Sequence, residues 1–303
     1  MSFSIPKDSG AIQLDRVPPP ELVYLTPHAD AIGQTWQMHH QAFAEFVGSC
    51  PAKNVIEVGG GAGALAANFL EQWPDSRWTI IEPNPQPLPK SVSSSVTVIN
   101  EYFQSGLPLD FKPDAVVCSH VLEHSEDPVR FLQDVATYLQ PGGFLLLSVP
   151  DMREWLARKY TSCLNFEHTV LLTEPMLDAL LKREGFEILD KGYVGDSHSI
   201  FYSTRYVGKK EHVELPQEYE ANRRLFNEYI DHYRELIKTL NTKISAFDGP
   251  VYLFGAHVAV PFLLAFGLDR GKIKGILDNS KLKAGRRLYG TSFFVSPSEV
   301  IRN

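Results

Sequence analysis

The stretch KNVIEVGGGAGAL, residues 53–65, runs from a β-branched segment directly into a glycine-rich turn. Its spacing is acidic-x-Gly-x-Gly-x-Gly, formed by Glu57, Gly59, Gly61 and Gly63. Glycine admits backbone angles that other residues avoid, and without a side chain it lets a ligand touch backbone amides. Because ALAANFLEQ then reads as a helix over Ala64–Gln72, the stretch predicts a buried strand, a ligand-binding turn and a helix.

Short apolar segments alternate with helical patterns on the carboxyl side of this turn. Helices are predicted over Ala64–Gln72, over 128–139 and after Thr173, where Pro175 lies in the first turn and Gly185 ends the helix. The predicted strands are KNVIEVGG, RWTIIEPN, SVTVIN, DAVVCSH, FLLLSVP, GFEILDKGY and SHSIFYSTRYVG. Such alternation is typical of parallel strands with crossover helices. We therefore expect an α/β fold, a Rossmann-like domain with a mostly parallel seven-stranded sheet.

Further parts flank this domain, which we place at residues 49–207. For residues 1–48 we predict an amino-terminal arm followed by a lid helix over 30–47. About the first 25 residues of the arm should be irregular because of their prolines. Residues 208–248 predict a connecting helix that is long, polar and amphipathic over 215 to about 246. Residues 249–303 repeat the α/β signal in VYLFGAH, AVPFLLAFGL and KIKGILDN. This last part predicts a small partial Rossmann-like unit that binds substrate or nucleotide.

A second acidic residue supports an adenosine-containing cofactor. Glu82 ends the strand WTIIE and lies 19 residues after Gly63 (82 minus 63), where a carboxylate can hold both ribose hydroxyls. The glycine spacing also fits a dinucleotide. Glu57 favours S-adenosylmethionine instead, because a carboxylate near the turn opposes a pyrophosphate but suits the positive charges of the aminoacyl group and the sulfonium.

Composition excludes several partners. The formal net charge of -7 argues against nucleic acid or an anionic membrane surface, and favours a small-molecule substrate. No stretch has the roughly 18 consecutive apolar residues of a membrane helix. The three cysteines form no Cys-x-x-Cys pair, so we predict no metal site and a reducing, cytoplasmic location. The oligomeric state stays open.

The segments VIEVGGGAGAL and DAVVCSHVLEHSEDPVRFLQDVATYLQPGGFLLLSVP resemble class I S-adenosylmethionine-dependent methyltransferases. The resemblance covers roughly residues 42–206 and implies methyl transfer with S-adenosylmethionine as cofactor. In that family the glycine loop contacts the methionine part, the acidic residue after the second strand binds ribose, and residues after the third strand flank adenine. With the residues at the carboxyl end of DAVVCSH, the expected cofactor contacts are Glu57, Gly59, Gly61, Gly63, Glu82, Pro83, Glu101, Tyr102, Ser119 and His120.

A narrower resemblance includes the carboxyl-terminal part and covers nearly the whole chain. It is similar to the C-methyltransferases that modify nucleotide-linked deoxy-ketosugars, in HVLEH, LNFEHTVLL, VYLFGAH and ILDNSKLKAG. The chain departs from that family in lacking its cysteine-rich zinc module and in having Asn165-Phe-Glu-His168 where the family has Tyr-His-Glu-His. The resemblance implies a sugar-like or nucleotide-linked acceptor, contacted by Asn165, Gly255, His257 and Asp278.

Methyl transfer needs little from the protein beyond alignment, because the sulfonium is itself a leaving group. A general base of near-neutral pKa helps to remove the proton of a hydroxyl, an amine or a carbon beside a ketone. The candidate catalytic residues are His168, His124 and Glu167. His39 and His40 on the lid helix are expected to be packed or solvated, and the aromatic rings of Tyr24 and Trp36 to belong to the core or to cover adenine.

Other functions remain open at this point. An O- or N-methyltransferase of another small metabolite fits the same motifs. A nicotinamide-dependent oxidoreductase fits the glycine turn, although no Tyr-x-x-x-Lys pair follows the fourth strand. A non-catalytic binding module with the same fold is the third alternative.

Overall fold

A computed structural model of the chain describes residues 2–23, 33–195 and 198–302. Its strands are β1 (Phe3–Ser4), β2 (Ile12–Leu14), β3 (Asn54–Val58), β4 (Arg77–Ile81), β5 (Val96–Ile99), β6 (Ala115–Ser119), β7 (Phe144–Pro150), β8 (Val170–Leu171), β9 (Phe186–Val194), β10 (Ser199–Tyr206), β11 (Val251–Phe254), β12 (Ile273–Asp278) and β13 (Val295–Pro297). Its α-helices are α1 (Pro20–Val23), α2 (Gln34–Gly48), α3 (Ala64–Gln72), α4 (Pro128–Tyr138), α5 (Met152–Ala157), α6 (Glu174–Arg183), α7 (Tyr219–Ala246) and α8 (Ala259–Ala265). Single 3₁₀ turns occur at Leu122–His124 and Ser298–Arg302.

The strand that precedes the glycine turn, β3, lies inside a seven-stranded sheet of order β5-β4-β3-β6-β7-β10-β9. Strands β5, β4, β3, β6 and β7 pair in parallel, whereas β10 pairs antiparallel with both β7 and β9. The predicted mostly parallel seven-stranded sheet is confirmed. The chain leaves β3 towards β4 on one side, and β6 lies on the other side of β3, so the strand order reverses between β3 and β6.

Both faces of the sheet are covered by helices, as expected for a parallel sheet. Side chains alternate along each strand, so Val55 packs with α2 and α3 while its neighbour Ile56 packs with α4 and α6. On the first face Phe43, Phe69 and Trp78 are fully buried. At about 25 cal/mol per Å² of apolar area, burial of such side chains stabilises the fold by roughly 2 kcal/mol each.

Local signals account for the helix bounds. Asp127 caps α4 by accepting hydrogen bonds from the amides of Val129 and Arg130, both at 3.0 Å, with Pro128 at the first helical position. Helix α6 follows Thr173, and Gly185 has a positive φ of 88° just after it, as predicted. Helix α7 begins at Tyr219, four residues later than the predicted 215 (219 minus 215).

The amino-terminal arm is not coil throughout, contrary to the prediction. Strand β1 pairs with β2, and β2 pairs with β8, giving a small antiparallel sheet. Ile12 and Leu14 are buried in it, and the amide of Leu14 donates to the carbonyl of Thr169 at 2.8 Å. Strands of two or three residues are too short to show periodicity in a sequence. The first part of the predicted lid helix, Asp30 to Ile32, and Tyr24 lie outside the described residues.

The chain divides into two units. The first comprises 1–155 and 166–219, and the second comprises 156–165 and 220–303. The second unit holds α7, α8 and a parallel three-stranded sheet of order β11-β12-β13 around its own core, which includes Ile237, Val260 and Ile276. The boundaries at 48, 207 and 248 drawn from the sequence stay a prediction.

Within the described residues, no helix combines the length and the apolar character needed to cross a bilayer.

Candidate functional site

The reversal of strand order between β3 and β6 defines a crevice at the carboxyl ends of these strands. In open α/β sheets, ligands bind at such a reversal point. The glycine turn follows β3, and Ser119 and His120 end β6. The two loops touch, because a Cβ added to Gly59 would lie 2.8 Å from Cγ2 of Val121. The topology therefore brings together the two segments that the sequence singles out.

Gly61 presents an open face within the turn. Gly59, Gly61 and Gly63 have φ values of 73°, 51° and 75°, in the left-handed region that favours glycine. A Cβ on Gly63 would lie 2.6 Å from Cδ2 of Leu88, whereas a Cβ on Gly61 would meet none of the described residues within 4 Å. Packing thus explains why Gly63 lacks a side chain, and open space at Gly61 leaves room for a ligand to approach the backbone.

Glu82 connects the second strand to this turn. Its carboxylate accepts hydrogen bonds from the amide of Gly61 at 3.1 Å and from the amide of Asn84 at 2.9 Å. The side chain of Asn100, after β5, donates to the carbonyl oxygens of Pro83 at 2.7 Å and of Glu82 at 3.3 Å. The loops after β3, β4 and β5 are therefore joined by polar contacts. A half-buried carboxylate held in this way is suited to accept hydrogen bonds from vicinal hydroxyls.

Glu57 lies beneath the turn, on the face of the sheet covered by α3. It is 3% exposed, and its carboxylate accepts a hydrogen bond from the indole nitrogen of Trp78 at 2.7 Å. Burial raises the pKa of Glu57 to about 7, against a lowering by the Trp78 hydrogen bond, and the charge of Glu82 raises it further. A Cβ on Gly60 would lie 2.9 Å from its carboxyl carbon. A positive charge brought close to the turn would favour the ionised form of Glu57.

The predicted adenine contacts are at the surface. Glu101 and Tyr102 are both exposed, and the amide of Glu101 donates to the carbonyl of Ile99 at 3.0 Å. Partial burial and the charges of Glu21 and Glu82 raise the pKa of the Tyr102 hydroxyl.

His120 belongs to a group that we call the histidine cluster, and Ser119 lies beside it. The members of the cluster are His39, His120, His198, Ser199 and Trp36. The hydroxyl of Ser199 lies 2.8 Å from His120 Nε2, 2.8 Å from His198 Nδ1 and 3.2 Å from His39 Nδ1. Trp36 packs among the three imidazoles, with ring centroids 4.9 to 5.2 Å apart.

Burial dominates the electrostatics of this cluster. It lowers the pKa of His39 to about 2, and neighbouring histidines lower it further. Burial also lowers the pKa values of His120 and His198. His120 adopts a positive φ of 53°, unusual for a non-glycine residue and typical of functional sites. His120 directly follows β6, so the end of this strand, and not a helix, sets the position of its neutral imidazole.

The sequence analysis did not assign roles to His198 and Ser199, and it expected His39 to be packed or solvated. His39 is indeed buried, at 2% exposed, but it packs against polar side chains at the carboxyl edge of the sheet. A histidine in the middle of an amphipathic helix carries no local signal of such partners, because they come from β6, β7 and β10.

His124 and His168, the predicted general bases, lie together beside a buried carboxylate. Their ring centroids are 5.1 Å apart, and His124 Nδ1 lies 3.0 Å from the backbone carbonyl of Glu167. The amide of Thr169 donates to the carbonyl of Glu123 at 2.9 Å, which aligns the two segments. Burial lowers the pKa of His124, opposed by the charge of Glu123. The structure thus brings together three predicted catalytic residues, His124, Glu167 and His168.

Glu123 was not identified from the sequence as part of this group. It is 2% exposed, and burial raises its pKa, opposed by His124 and His168. His120 Nδ1 lies 3.1 Å from its Oε1, but among the described residues neither carboxylate oxygen has a donor in hydrogen-bonding alignment. An unsatisfied buried carboxylate is costly, so its retention points to a role in the site.

The predicted substrate residues are found in the second unit. Asn165 donates from its side chain to the carbonyl of Ser162 at 3.1 Å. Gly255 has a φ of 98°, and within the described ranges a Cβ there would meet no atom closer than 4 Å. Asp278 accepts from the amide of Ala256 at 2.7 Å and pairs with Lys283 at 3.3 Å. Burial raises the pKa of Asp278, but hydrogen bonds from the Ser280 and Ala256 amides and from Lys283 outweigh it, so that its pKa is lowered.

His257 follows the same turn, where its amide donates to the carbonyl of Gly255 at 2.9 Å. Gly255, His257 and Asp278 therefore form one local group at the ends of β11 and β12. Lys283, which the sequence analysis did not select, adds a positive charge to that group.

Known proteins give independent information on this site. Residues 37–191, just over half of the 303 residues, match the model of a family described as a methyltransferase domain. A probable S-adenosylmethionine-dependent methyltransferase of Mycolicibacterium smegmatis is 38% identical over 85 residues, which are 28% of this chain and 33% of that protein. Methyltransferase str3 of Strobilurus tenacellus is 28% identical over 143 residues, 42% of this chain and 50% of that protein. The matched segments thus span a third to a half of the length of these relatives.

Among solved structures, 1,6-didemethyltoxoflavin-N1-methyltransferase of Burkholderia thailandensis is similar with a TM-score of 0.49 and 19% identity, over 67% of this chain and 98% of that one. The fold assignment of this chain rests on its own strand order. The glycine turn and the acidic residue after β4 lie in the first unit, and so does the matched segment 37–191 apart from residues 156–165. The chain belongs to the methyltransferase domain family.

Proposed function

We propose that this protein transfers a methyl group from S-adenosylmethionine to a small-molecule acceptor. One observation carries the proposal: the open face of Gly61, whose amide is bonded to Glu82, lies at the reversal point of the sheet. This arrangement offers backbone approach for the methionine part and a carboxylate for the ribose hydroxyls. Glu57 beneath the turn supplies negative charge for the aminoacyl and sulfonium groups.

The transfer itself requires an acceptor atom in line with the methyl group and the sulfur. The methyl moves to the acceptor, the C–S electron pair stays on sulfur as the neutral thioether, and the acceptor loses a proton. S-adenosylmethionine supplies the leaving group, so the protein aligns the acceptor and receives the proton.

We assign proton removal to the pair His124 and His168. The Glu167 carbonyl beside His124 Nδ1 favours the tautomer with the proton on that nitrogen, which leaves Nε2 with a lone pair to accept one. Because burial lowers the pKa of His124, the imidazole is neutral near pH 7 and can act as a base. A neighbouring carboxylate, Glu123, stabilises the imidazolium that forms.

The acceptor class that fits best is sugar-like or nucleotide-linked. A formal net charge of -7 disfavours a nucleic acid as acceptor. The second unit has parallel strands, an open turn at Gly255 and an adjacent Lys283, features that suit a nucleotide phosphate. The similarity of HVLEH and LNFEHTVLL to nucleotide-sugar C-methyltransferases supports the same acceptor class. The reduced thiols of Cys50 and Cys118 fit a cytoplasmic location.

A turnover assay tests this function. The protein is incubated with S-adenosylmethionine and separate acceptors, namely nucleotide-linked sugars, free sugars, phenols and amines, and S-adenosylhomocysteine is measured by mass spectrometry. We expect acceptor-dependent S-adenosylhomocysteine with at least one nucleotide-linked sugar. Cofactor binding without product from any acceptor would support a non-catalytic module and contradict the proposal.

Variants then test the base. Replacement of His124 or His168 by Asn should lower kcat by 10²-fold or more, within the usual range for a general base, while cofactor affinity changes little. His232, on α7 of the second unit, provides a matched His→Asn control. Full activity in both site variants would remove the histidines from the mechanism.

A further inference from the structure

Three imidazole nitrogens converge on one point in the histidine cluster. They are His39 Nδ1, His120 Nε2 and His198 Nδ1, each within 3.2 Å of the Ser199 hydroxyl. The three histidines can each offer one ligand atom such that all these atoms lie within 4.8 Å of one another. The residues come from α2, from the end of β6 and from the position before β10, so the fold, not local sequence, creates the convergence.

The outer nitrogens of two of these rings lie next to polar side chains. His39 Nε2 is hydrogen-bonded to the hydroxyls of Ser119 at 2.9 Å and Ser148 at 3.3 Å. His120 Nδ1 faces the buried carboxylate of Glu123 at 3.1 Å. Histidines that bind a metal through one nitrogen commonly have the other fixed by a carboxylate, a carbonyl or a hydroxyl. Here His39 has this arrangement, and the Glu123 carboxylate lies beside the outer nitrogen of His120.

The size of the cluster suits a small cation. Zinc bonds to nitrogen are about 2.0–2.1 Å long, which places the ligand atoms of a tetrahedral site about 3.4 Å apart. The observed separations from the Ser199 oxygen, 2.8 to 3.2 Å, are close to that value. Imidazole favours zinc and its neighbours in the first transition row, whereas magnesium and calcium prefer oxygen ligands.

We propose that His39, His120 and His198 bind one zinc-type divalent cation, with an oxygen from Ser199 or water as the fourth ligand. The site lies at the carboxyl edge of the sheet, next to Ser119. The existence of this metal site does not depend on the methyl-transfer proposal, and the experiment that tests it measures the bound metal directly.

A cluster held together by hydrogen bonds alone, without a metal ion, leads to the opposite prediction. One hydroxyl has one proton and two lone pairs, so Ser199 alone can satisfy three neutral imidazoles without a cation. In that case removal of the hydroxyl disrupts the cluster, and no variant gains or loses metal. In a metal site, Ser199→Ala keeps the three nitrogen ligands and still binds zinc, because water can take the fourth position.

The experiment uses full-length protein without an affinity tag, stripped with a chelator and dialysed. Zinc is titrated and the bound metal is counted by mass spectrometry, and cobalt is titrated in parallel because its visible absorption reports imidazole coordination. We expect one equivalent of either metal per chain, retained in a large excess of magnesium or calcium.

Three variants locate the metal. His198→Gln, at a half-buried position, should weaken zinc binding at least tenfold and abolish the cobalt spectrum. His40→Gln is the matched control, because this ring lies 5.5 Å from His39 but outside the converging group. His168→Gln tests the second group of possible ligands, Glu123, His124 and His168. Circular dichroism and thermal unfolding confirm that each variant is folded.

The proposal is overturned if the wild type binds no zinc with a dissociation constant below about 10 μM. It is equally overturned if His198→Gln binds as the wild type does, or if only His168→Gln loses the metal, which would place the ion in the second group. Loss in His198→Gln with retention in His40→Gln and Ser199→Ala supports it.

Discussion

Replacement of Gly61 by Ala separates ligand contact from backbone strain. With φ at 51°, an L-residue at this position costs about 1–2 kcal/mol of folding free energy. No clash with the described part of the chain adds to this cost, because the new Cβ meets none of its atoms within 4 Å. The methyl group would instead fill the face through which the cofactor reaches the turn. We expect the affinity for S-adenosylmethionine to fall at least tenfold, which corresponds to about 1.4 kcal/mol.

Gly106 provides the matched control. Its φ is 84°, a Cβ there also meets nothing within 4 Å, and its loop packs near Tyr138 at the end of α4. Gly106→Ala should therefore lose a similar free energy of unfolding without loss of affinity.

Urea unfolding measures the stability of both variants, and titration calorimetry with S-adenosylhomocysteine measures their affinity at a temperature where both are folded. The expected result is similar destabilisation with a selective loss of binding in Gly61→Ala. Equal affinities of the two variants would refute the assignment of the open face to the cofactor.

Further changes test the surroundings of the site. Because burial raises the pKa of Glu57 to about 7 from 4.5, its folded-state proton stabilises the protein below about pH 4.5, and this contribution is lost as the pH rises to 7. Glu57→Gln keeps an acceptor for Trp78 but cannot ionise. In chemical denaturation the variant should be more stable than the wild type by up to about 3 kcal/mol at pH 8 and equally stable at pH 4.5. Equal stability at pH 8 would contradict the presence of a buried charge. Glu82→Gln should weaken S-adenosylhomocysteine binding in calorimetry by about 1–3 kcal/mol. The control Glu71→Gln, on the exposed side of α3, should leave binding unchanged. Equal affinities of the two variants would exclude the ribose contact. Asp127→Ala removes the cap of α4 and should lower the free energy of unfolding by about 1 kcal/mol in urea, with an unchanged value arguing against the cap.

The linear motifs of the sequence predicted the sheet and the glycine turn because their information is local. The spacing of Gly59, Gly61 and Gly63 sets backbone angles that are confirmed by φ values of 73°, 51° and 75°. The position of Glu82 after a β-branched run likewise follows from strand length, and its bond to the Gly61 amide results from the parallel pairing of β3 and β4.

The histidine cluster could not be predicted in the same way. Its members stand at positions 39, 120 and 198, and their convergence depends on how α2 packs and on the antiparallel pairing of β10 with β7. A shift of one residue in that pairing would direct Ser199 to the opposite face of the sheet. Glu123 was missed for a related reason, since a carboxylate in a turn is ordinarily solvated and only tertiary packing shows that it is buried.

Chain connectivity also limited the sequence analysis. Residues 156–165 belong to the second unit although they stand between elements of the first, and Asn165 is therefore separated from Glu167 and His168 in the division of the chain. Hydrophobic periodicity assigns elements to helices and strands, but it does not say which core a short connecting segment joins.

Titration calorimetry of the wild-type protein with S-adenosylmethionine tests the central claim most directly. Cofactor binding at the glycine turn predicts one site per chain with a dissociation constant in the micromolar range, and no heat of binding with NADH. Absence of S-adenosylmethionine binding at millimolar ligand, or saturable binding of NADH in its place, would contradict the account.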